Sequence, residues 1–390
     1  MAPHFAHAMG NRVAGPTWLP WAGYNAAASV STNSPRMTQA SRDYLLGPLL
    51  KGVSRSFYLT LAVLPVGMRD PIGLAYLLAR AADTIADTEL LPPARRLEWL
   101  LSLREQVNGV PDEAALRTIA AEVASQQAQS DEKVLLESLG PALAILAQLD
   151  EVDRAAVRAI VTTLTQGMEF DLRTFPDETS GRLAALDDDA ALDRYTYLVA
   201  GCVGEFWTTM TLRHQPGVLR RDADTMKALG IRFGKALQFT NVLRDAAKDL
   251  RIGRCYLPLE RLARAGLVPQ DLLGPDASRL ARPVMHDLVR VALDHFRAGI
   301  EYTFAIPPTA MRLRLACIWP IAIGLMTFRL LLGNADWLAP GRASKVRRND
   351  VYKAIAVSIP RSLSNACLRR WFERLLADIE RGLDASSNAR

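Results

Sequence analysis

From about Ser41 to about Asp384 the apolar residues of this chain recur every three or four positions, in one segment after another. Leu97–Val107, Glu113–Ala128, Lys133–Leu149, Arg154–Arg173, Asp188–Leu212, Asp222–Leu250, Ser278–Phe304 and Leu363–Leu383 all carry this spacing. It places an apolar stripe along one side of a helix. Pro92-Pro93, Pro111-Asp112, Gly140-Pro141, Gly217, Gly253, Pro258, Pro307-Pro308 and Pro360 punctuate the segments as helix starts and stops do. No β-alternation separates them, no Pro/Ser/Gly-rich linker divides the interior, and no repeat of about 20–50 residues is visible. The expected fold is all-α: a single large helical bundle around a central cavity, spanning residues 41–384. Residues 1–40 read as a disordered or non-native leader and 385–390 as a disordered tail. A dinucleotide site of the strand, glycine-rich turn and helix type has no counterpart here.

The chain has 390 residues, 49% of them apolar, which is ample to bury such a core. Its 47 Lys and Arg against 41 Asp and Glu make it mildly basic, which favours an anionic partner. No long Lys/Arg run is present, so nucleic acid is not an expected partner. Cys202, Cys255, Cys317 and Cys367 form no CxxC pair, and no HExxH occurs, so neither zinc nor a disulfide framework is expected. A reduced, cytoplasmic setting follows. Residues 1–42 lack Asp and Glu and hold only Arg12, Arg36 and Arg42, without the compact apolar stretch of a signal peptide. Met37 offers an alternative start. The apolar run Leu313 to Gly333 is interrupted by Arg314, Pro320 and Arg329, which marks a core helix rather than a membrane span. Peripheral membrane contact near an apolar product exit remains compatible with this pattern.

The sharpest chemical signal is a pair of carboxylate motifs inside helical patterns, Asp83-Thr-Ile-Ala-Asp87 and Asp245-Ala-Ala-Lys-Asp249. Spacing i,i+4 puts both acids of each pair on one helix face, where like charges repel unless something compensates. Each pair extends into a longer polar row. Tyr76, Arg80, Asp83 and Asp87 fall at i, i+4, i+7 and i+11 among Leu74, Leu77, Leu78, Ala81, Ala82 and Ile85. Gln238, Asn241, Asp245 and Asp249 fall at i, i+3, i+7 and i+11 among Leu237, Phe239, Val242, Leu243, Ala246 and Leu250. A helix this apolar is central in a bundle, and polar groups on it must face a wet or ligand-filled cleft. Carboxylates suit Mg²⁺, a hard cation held by one or two acids plus substrate phosphate oxygens. Arg55 precedes the first row, and Arg251 and Arg254 follow the second; the planar guanidinium fork suits phosphate. Acids for a cation and arginines for phosphate together point to a diphosphate substrate. Glu169 and Asp171 end another helix and read as exposed acids, with a place lining the cleft as the alternative, and Asp187-Asp188-Asp189 reads as a helix N-cap.

Ser54-Arg55-Ser56-Phe57, the Tyr76 to Asp87 row, Tyr195-Thr-Tyr197-Leu-Val-Ala-Gly201-Cys-Val-Gly204, Gln238 to Asp249, and Gly253-Arg254-Cys-Tyr-Leu-Pro258 come in this order along the chain. Together they resemble the squalene/phytoene synthase family over residues 45–335, and squalene synthases most. The resemblance implies a class I isoprenoid synthase bundle that condenses two prenyl diphosphates head to head. It implies Asp83, Asp87, Asp245 and Asp249 as Mg²⁺ ligands, and Asp83, Asp245 and Tyr195 as catalytic. Ser54, Arg55, Phe57, Tyr76, Arg80, Gln238, Asn241 and Arg254 would contact substrate. Lys345, Arg347 and Arg348 vaguely resemble a basic segment near an NADPH site. Phe57, Leu61, Val199, Cys202, Val203, Phe206, Leu237 and the Cys317–Leu325 segment would wall a dry cavity for carbocations. The product implied is squalene, made from farnesyl diphosphate through presqualene diphosphate with NADPH. Phytoene or dehydrosqualene synthesis without a reductant is the alternative, ahead of a terpene cyclase or a non-catalytic relative. Two departures stand out: Ala86 replaces an acid common in squalene synthases, and Lys248 replaces a common Glu.

Overall fold

The two acidic rows lie on helices whose other faces are sealed into the protein, and the rest of the bundle is arranged around them. The computed structural model describes residues 41–54, 58–88, 90–127, 129–342 and 344–387. The leader read at residues 1–40 therefore lies outside the described residues, as do Arg55 and Phe57. The helices that frame the interior are α1 (Val66–Ala86), α2 (Pro93–Asn108), α3 (Glu151–Thr174), α4 (Asp189–Thr196), α5 (Cys202–His214), α6 (Ala223–Arg251), α7 (Arg282–Phe304), α8 (Met311–Leu332), α9 (Arg348–Ser362) and α10 (Asn365–Ser387). Among the described residues the only strands are two parallel two-residue pieces, β1 (Ala184–Ala185) and β2 (Arg254–Cys255). Helix α10 runs through Ser387, so residues 385–387 are helical rather than part of a disordered tail.

Two apolar clusters organise the bundle. One gathers Leu74, Leu77 and Leu78 of α1 with Leu100 and Leu103 of α2 and Val157 and Val161 of α3. The other gathers Leu243 of α6, Leu288 and Phe296 of α7, Ile318 and Phe328 of α8 and Phe372 of α10. Phe233 of α6 packs against both. Helix α8 is long and apolar enough to cross a membrane by composition alone. Its neighbours α6, α7, α9 and α10 bury it instead, and Arg314 is fully enclosed, donating to the Ile306 carbonyl at 2.8 Å and to Asn365.

Helix breaks have local causes. The pattern over Lys133–Leu149 divides into Ser130–Glu137 and Leu139–Gln148. The ring of Pro141 clashes with a helical carbonyl four residues back, at Glu137. The pattern over Asp188–Leu212 is interrupted by a π-helical turn at Tyr197–Gly201 between α4 and α5. That turn lies where the backbones of α5 and α6 nearly touch. A Cβ on Gly204 would stand 1.8 Å from the Gly230 carbonyl oxygen, and one on Gly234 would stand 2.1 Å from that of Ala200. Only glycines permit this approach, which brings the Tyr195 segment against the helix bearing Gln238. Asp188 caps α4, accepting from the Ala191 amide at 2.8 Å. Helix α9 escaped the periodicity reading because the residues it buries are small, Ala354, Ser358 and Ser362, and two of them are polar.

The close crossing predicts a sharp contrast between glycines. Gly230→Ala forces two backbones apart and should cost about 3 kcal/mol or more in urea denaturation, the upper range of overpacking. Gly47→Ala, with nothing within 4 Å, should leave the midpoint unchanged or slightly raised.

Candidate active site

The first acidic row and the Gln238 end of the second row line one cleft. Asp83 and Asp87 of α1, Asp171 of α3, Tyr195 of α4, Gln238 of α6 and Arg254 of β2 line a common hollow of about 210 Å³. Burial pushes the Asp83 carboxyl up to about 7, with Asp87 adding to the effect. Asp249 is likewise pushed to about 7, by burial first and then by Asp245 and, across the cleft, by Asp87. Asp87 stands open at the mouth, yet desolvation by the walls raises its carboxyl against the pull of Arg254 and Lys248. Asp171 is driven to about 7 by burial, with Asp87 and Asp249 contributing. Four acids on three helices therefore share one field, and none is matched in full by a nearby cation.

The basic residues are placed unevenly. Arg254 faces the hollow because Gly253, at φ +85°, turns the chain there; a Cβ on it would meet the Arg182 carbonyl oxygen at 2.5 Å. Pairing of Ala184 with Arg254 then fixes the strand. Arg80 is bound to Asp83 on its own helix and to Glu132, so it orients an acid rather than reaching openly into the cleft. Arg244 grips Asp245, which stands outside the lining of the main hollow. The Ser54 hydroxyl is buried and bonds the Leu50 carbonyl.

Polar side chains border the cleft. The Gln238 amide donates to the Tyr195 hydroxyl at 3.3 Å, and Asn241 donates to Gln238 at 3.2 Å. The Tyr195 and Tyr256 rings stack at 4.7 Å. Tyr256 donates to Asp171 Oδ2 at 2.8 Å. The second oxygen of Asp171 is buried with no hydrogen-bond partner. Asp171, read from the sequence as exposed, is thus enclosed, whereas Glu169 pairs with Arg104 and Arg173. Tyr256 was missed as a site residue, although it sits two positions after Arg254 in a quoted motif.

Beyond the acids the hollow turns apolar. A chamber of about 400 Å³ is lined by Tyr76, Val199, Val203, Leu237, Cys317 and Pro320, all read from the sequence, and by Trp207, Phe233 and Tyr302, which were not. Leu164, Val199 and Gln238 line both spaces, so the polar cleft opens into the apolar chamber. Leu61, Cys202 and Phe206, expected as walls, belong to the packed core. Lys345 and Arg347 line a separate groove of about 540 Å³ with Arg329, Lys353 and Trp371, while Arg348 starts α9 outside that lining.

A sequence model of the squalene/phytoene synthase family matches residues 50–350. The chain belongs to that family. Its members are prenyltransferases that join prenyl diphosphates head to head. The presqualene diphosphate synthase of Zymomonas mobilis is 32% identical over 249 residues, covering 63% of this chain and 70% of that one. The bifunctional lycopene cyclase/phytoene synthase of Phaeosphaeria nodorum is 30% identical over 237 residues, covering 59% of this chain. The chain spans 37% of the length of that fungal relative. The fold matches a solved complex of TcSQS with the ligand BPH1237, with a TM-score of 0.64 at 21% identity over 87% of this chain and 97% of that one.

Squalene synthase-like members of the family are generally Mg²⁺-dependent, and the donor set here fits a hard divalent cation. The acids are all oxygen donors, burial raises the carboxyls of Asp83 and Asp249, and Asp171 leaves a buried oxygen unpaired. Among the described residues no three Asp, Glu, His or Cys side chains converge on a single point. An ion held here would complete its shell with water and phosphate oxygens, as Mg²⁺ does. Lys248, in place of the family's common Glu, is exposed and pulls on Asp87 and Asp249.

The raised Asp171 carboxyl has a stability signature. Its folded-state value lies above the ordinary 3.8, so its contribution to folding is favourable at low pH and is lost as pH rises through about 7. Asp171→Asn keeps the bond from Tyr256 and removes the buried charge. In metal-free buffer the variant should therefore be more stable than the parent at pH 8, by about 1–4 kcal/mol, and no more stable at pH 4. Thermal melts at both values check this.

Proposed function

We propose that this chain condenses two farnesyl diphosphates head to head, through presqualene diphosphate, to squalene, with Mg²⁺ and NADPH. The observation that carries the condensation is the junction of an acid-lined cleft with an apolar chamber at Leu164, Val199 and Gln238. Asp83, Asp87, Asp245 and Asp249 are the proposed holders of Mg²⁺, with Arg244 orienting Asp245 and Arg80 orienting Asp83. Bound there, Mg²⁺ would neutralise charge developing on the departing diphosphate. Arg254 supplies fixed donors to the same oxygens. The prenyl tail lies in the chamber, where Trp207, Phe233 and Tyr302 exclude water from the allylic cation. When the cyclopropyl ring closes, a carbon-bound proton passes to the Tyr195 hydroxyl oxygen. The Tyr195 proton then passes to Asp171, which accepts from Tyr256, the ring stacked on Tyr195.

A second reading, in which the product forms without a reductant, is favoured by one observation. Asp350, Lys353, Ala354 and Val357 of α9 line the Lys345–Arg347 groove, whereas Val351 and Ile355 of α9 line a different pocket beside Asn241 and Arg244. A dinucleotide on the Lys345 and Arg347 side would have to reach past α9 to deliver a hydride. The match to a presqualene diphosphate synthase points the same way.

Incubation of the protein with farnesyl diphosphate and Mg²⁺, with and without NADPH, separates the two readings by hydrocarbon analysis. Squalene formed only with NADPH is the expected result; a product unchanged by omitting it would replace the first reading by the second. Asp83→Asn and Asp245→Asn should each lower turnover by about 10²–10³-fold or more. Neither should lose folding stability, because each removes a charge from a crowded cleft. Parental turnover in either variant would refute the ligand assignment.

A further inference from the structure

Arg96 of α2 is buried to 1% exposure behind the wall of the cleft. A guanidinium taken out of water is tolerated only where a carboxylate and further acceptors meet it closely. Glu178, in the loop between α3 and β1, does so with both oxygens, at 2.9 and 2.5 Å. Arg96 also donates to the Ala86 carbonyl at 3.1 Å, in the last turn of α1 and one residue before Asp87. Carbonyls at a helix end lack helical partners, and the helix dipole favours a cation there. The Glu178 oxygen that receives one bond from Arg96 receives another from Arg254 at 2.8 Å. The carboxyl is accordingly held down to about 2, with Arg96 as the main cause.

Arg96 alone satisfies both oxygens of Glu178. The bond to Arg254 is surplus to that balance, and it leaves two guanidiniums sharing one carboxylate at the edge of the cleft. It also links the end of the helix carrying Asp83 and Asp87 to the strand carrying Arg254, elements 167 residues apart in the chain counted from Asp87 to Arg254 (254 − 87). We infer that Glu178 is a positioning residue for the diphosphate: with Arg96 it sets the spacing between the first acidic row and Arg254, and it holds the Arg254 guanidinium in its cleft-facing orientation. An arginine held in place beforehand loses less rotamer freedom when the anion arrives. This inference rests on the reading that Arg254 meets a diphosphate.

The test is calorimetric titration with inorganic pyrophosphate and Mg²⁺, alongside thermal melts, for the parent, Glu178→Gln, Arg254→Ala and the double variant. Glu178→Gln should weaken pyrophosphate binding about tenfold, in the range seen when the supports of binding groups are removed. In the Arg254→Ala background the same change should have no further effect, since Glu178 acts through Arg254. A purely structural role would lower the melting temperature and leave both affinities unchanged. That result, or equal losses in both backgrounds, overturns the inference. If Glu178→Gln does not fold, Arg96→Lys replaces it. That variant keeps the charge but not the two-point grip, and about a threefold loss is expected, again absent without Arg254. Absence of pyrophosphate binding by the parent would overturn the diphosphate reading itself, and this inference with it.

Discussion

The structure is organised around carboxylates that burial holds close together at a single cleft. Asp83, Asp171 and Asp249 are each pushed to about 7, a state that raises the free energy of the fold whenever the acids are charged. Such an arrangement persists only where the surrounding packing outweighs it. The two apolar clusters do so, by enclosing the backs of α1, α3 and α6 and leaving only their acid-bearing faces toward the cleft. Acids buried together favour a group that brings concentrated positive charge, and the proposed divalent cation would do so.

Glycine contacts set the geometry on which this depends. The crossing of α5 on α6 at Gly204, Gly230 and Gly234 is so close that backbone meets backbone. A helix continuing straight from α4 into α5 could not follow that path, and the π-helical turn at Tyr197–Gly201 absorbs the difference. Tyr195, immediately before the turn, is thereby brought within hydrogen-bonding distance of Gln238. Gly253 has the same function on the other side, since its positive φ lets β2 approach β1 and turns Arg254 inward.

Much of this was legible in the chain. Helical period, proline punctuation and the two acidic rows are local properties, and they survive in the fold because each agrees with the packing around it. What escaped was whatever depends on contacts distant in sequence. Asp171 looks like one more acid near a helix end, and only the fold shows that Tyr256 covers one of its oxygens and nothing covers the other. Arg96 and Glu178 sit in unremarkable surroundings, 82 residues apart, and carry no spacing signal. Trp207 and Phe233 follow ordinary helical periods, so core and chamber wall cannot be told apart until the helices are assembled. The basic segment at Lys345 and Arg347 is likewise a local charge pattern that says nothing about which side of α9 it occupies.

The proposed role of Tyr195 rests on these constraints taken together. A group that accepts a proton from a carbocation must lie close to the dry chamber, where water would quench the cation, and yet pass the proton to a polar region that can keep it. Tyr195 borders the cleft and accepts from Gln238, which lines both spaces, and its ring stacks on Tyr256, which donates to a carboxyl raised to about 7 by burial. A carboxyl in the ordinary range would be a poor final acceptor, since it would hold the proton too weakly at neutral pH. In that proposal the burial that makes Asp171 costly to the fold is also what fits it to keep the proton.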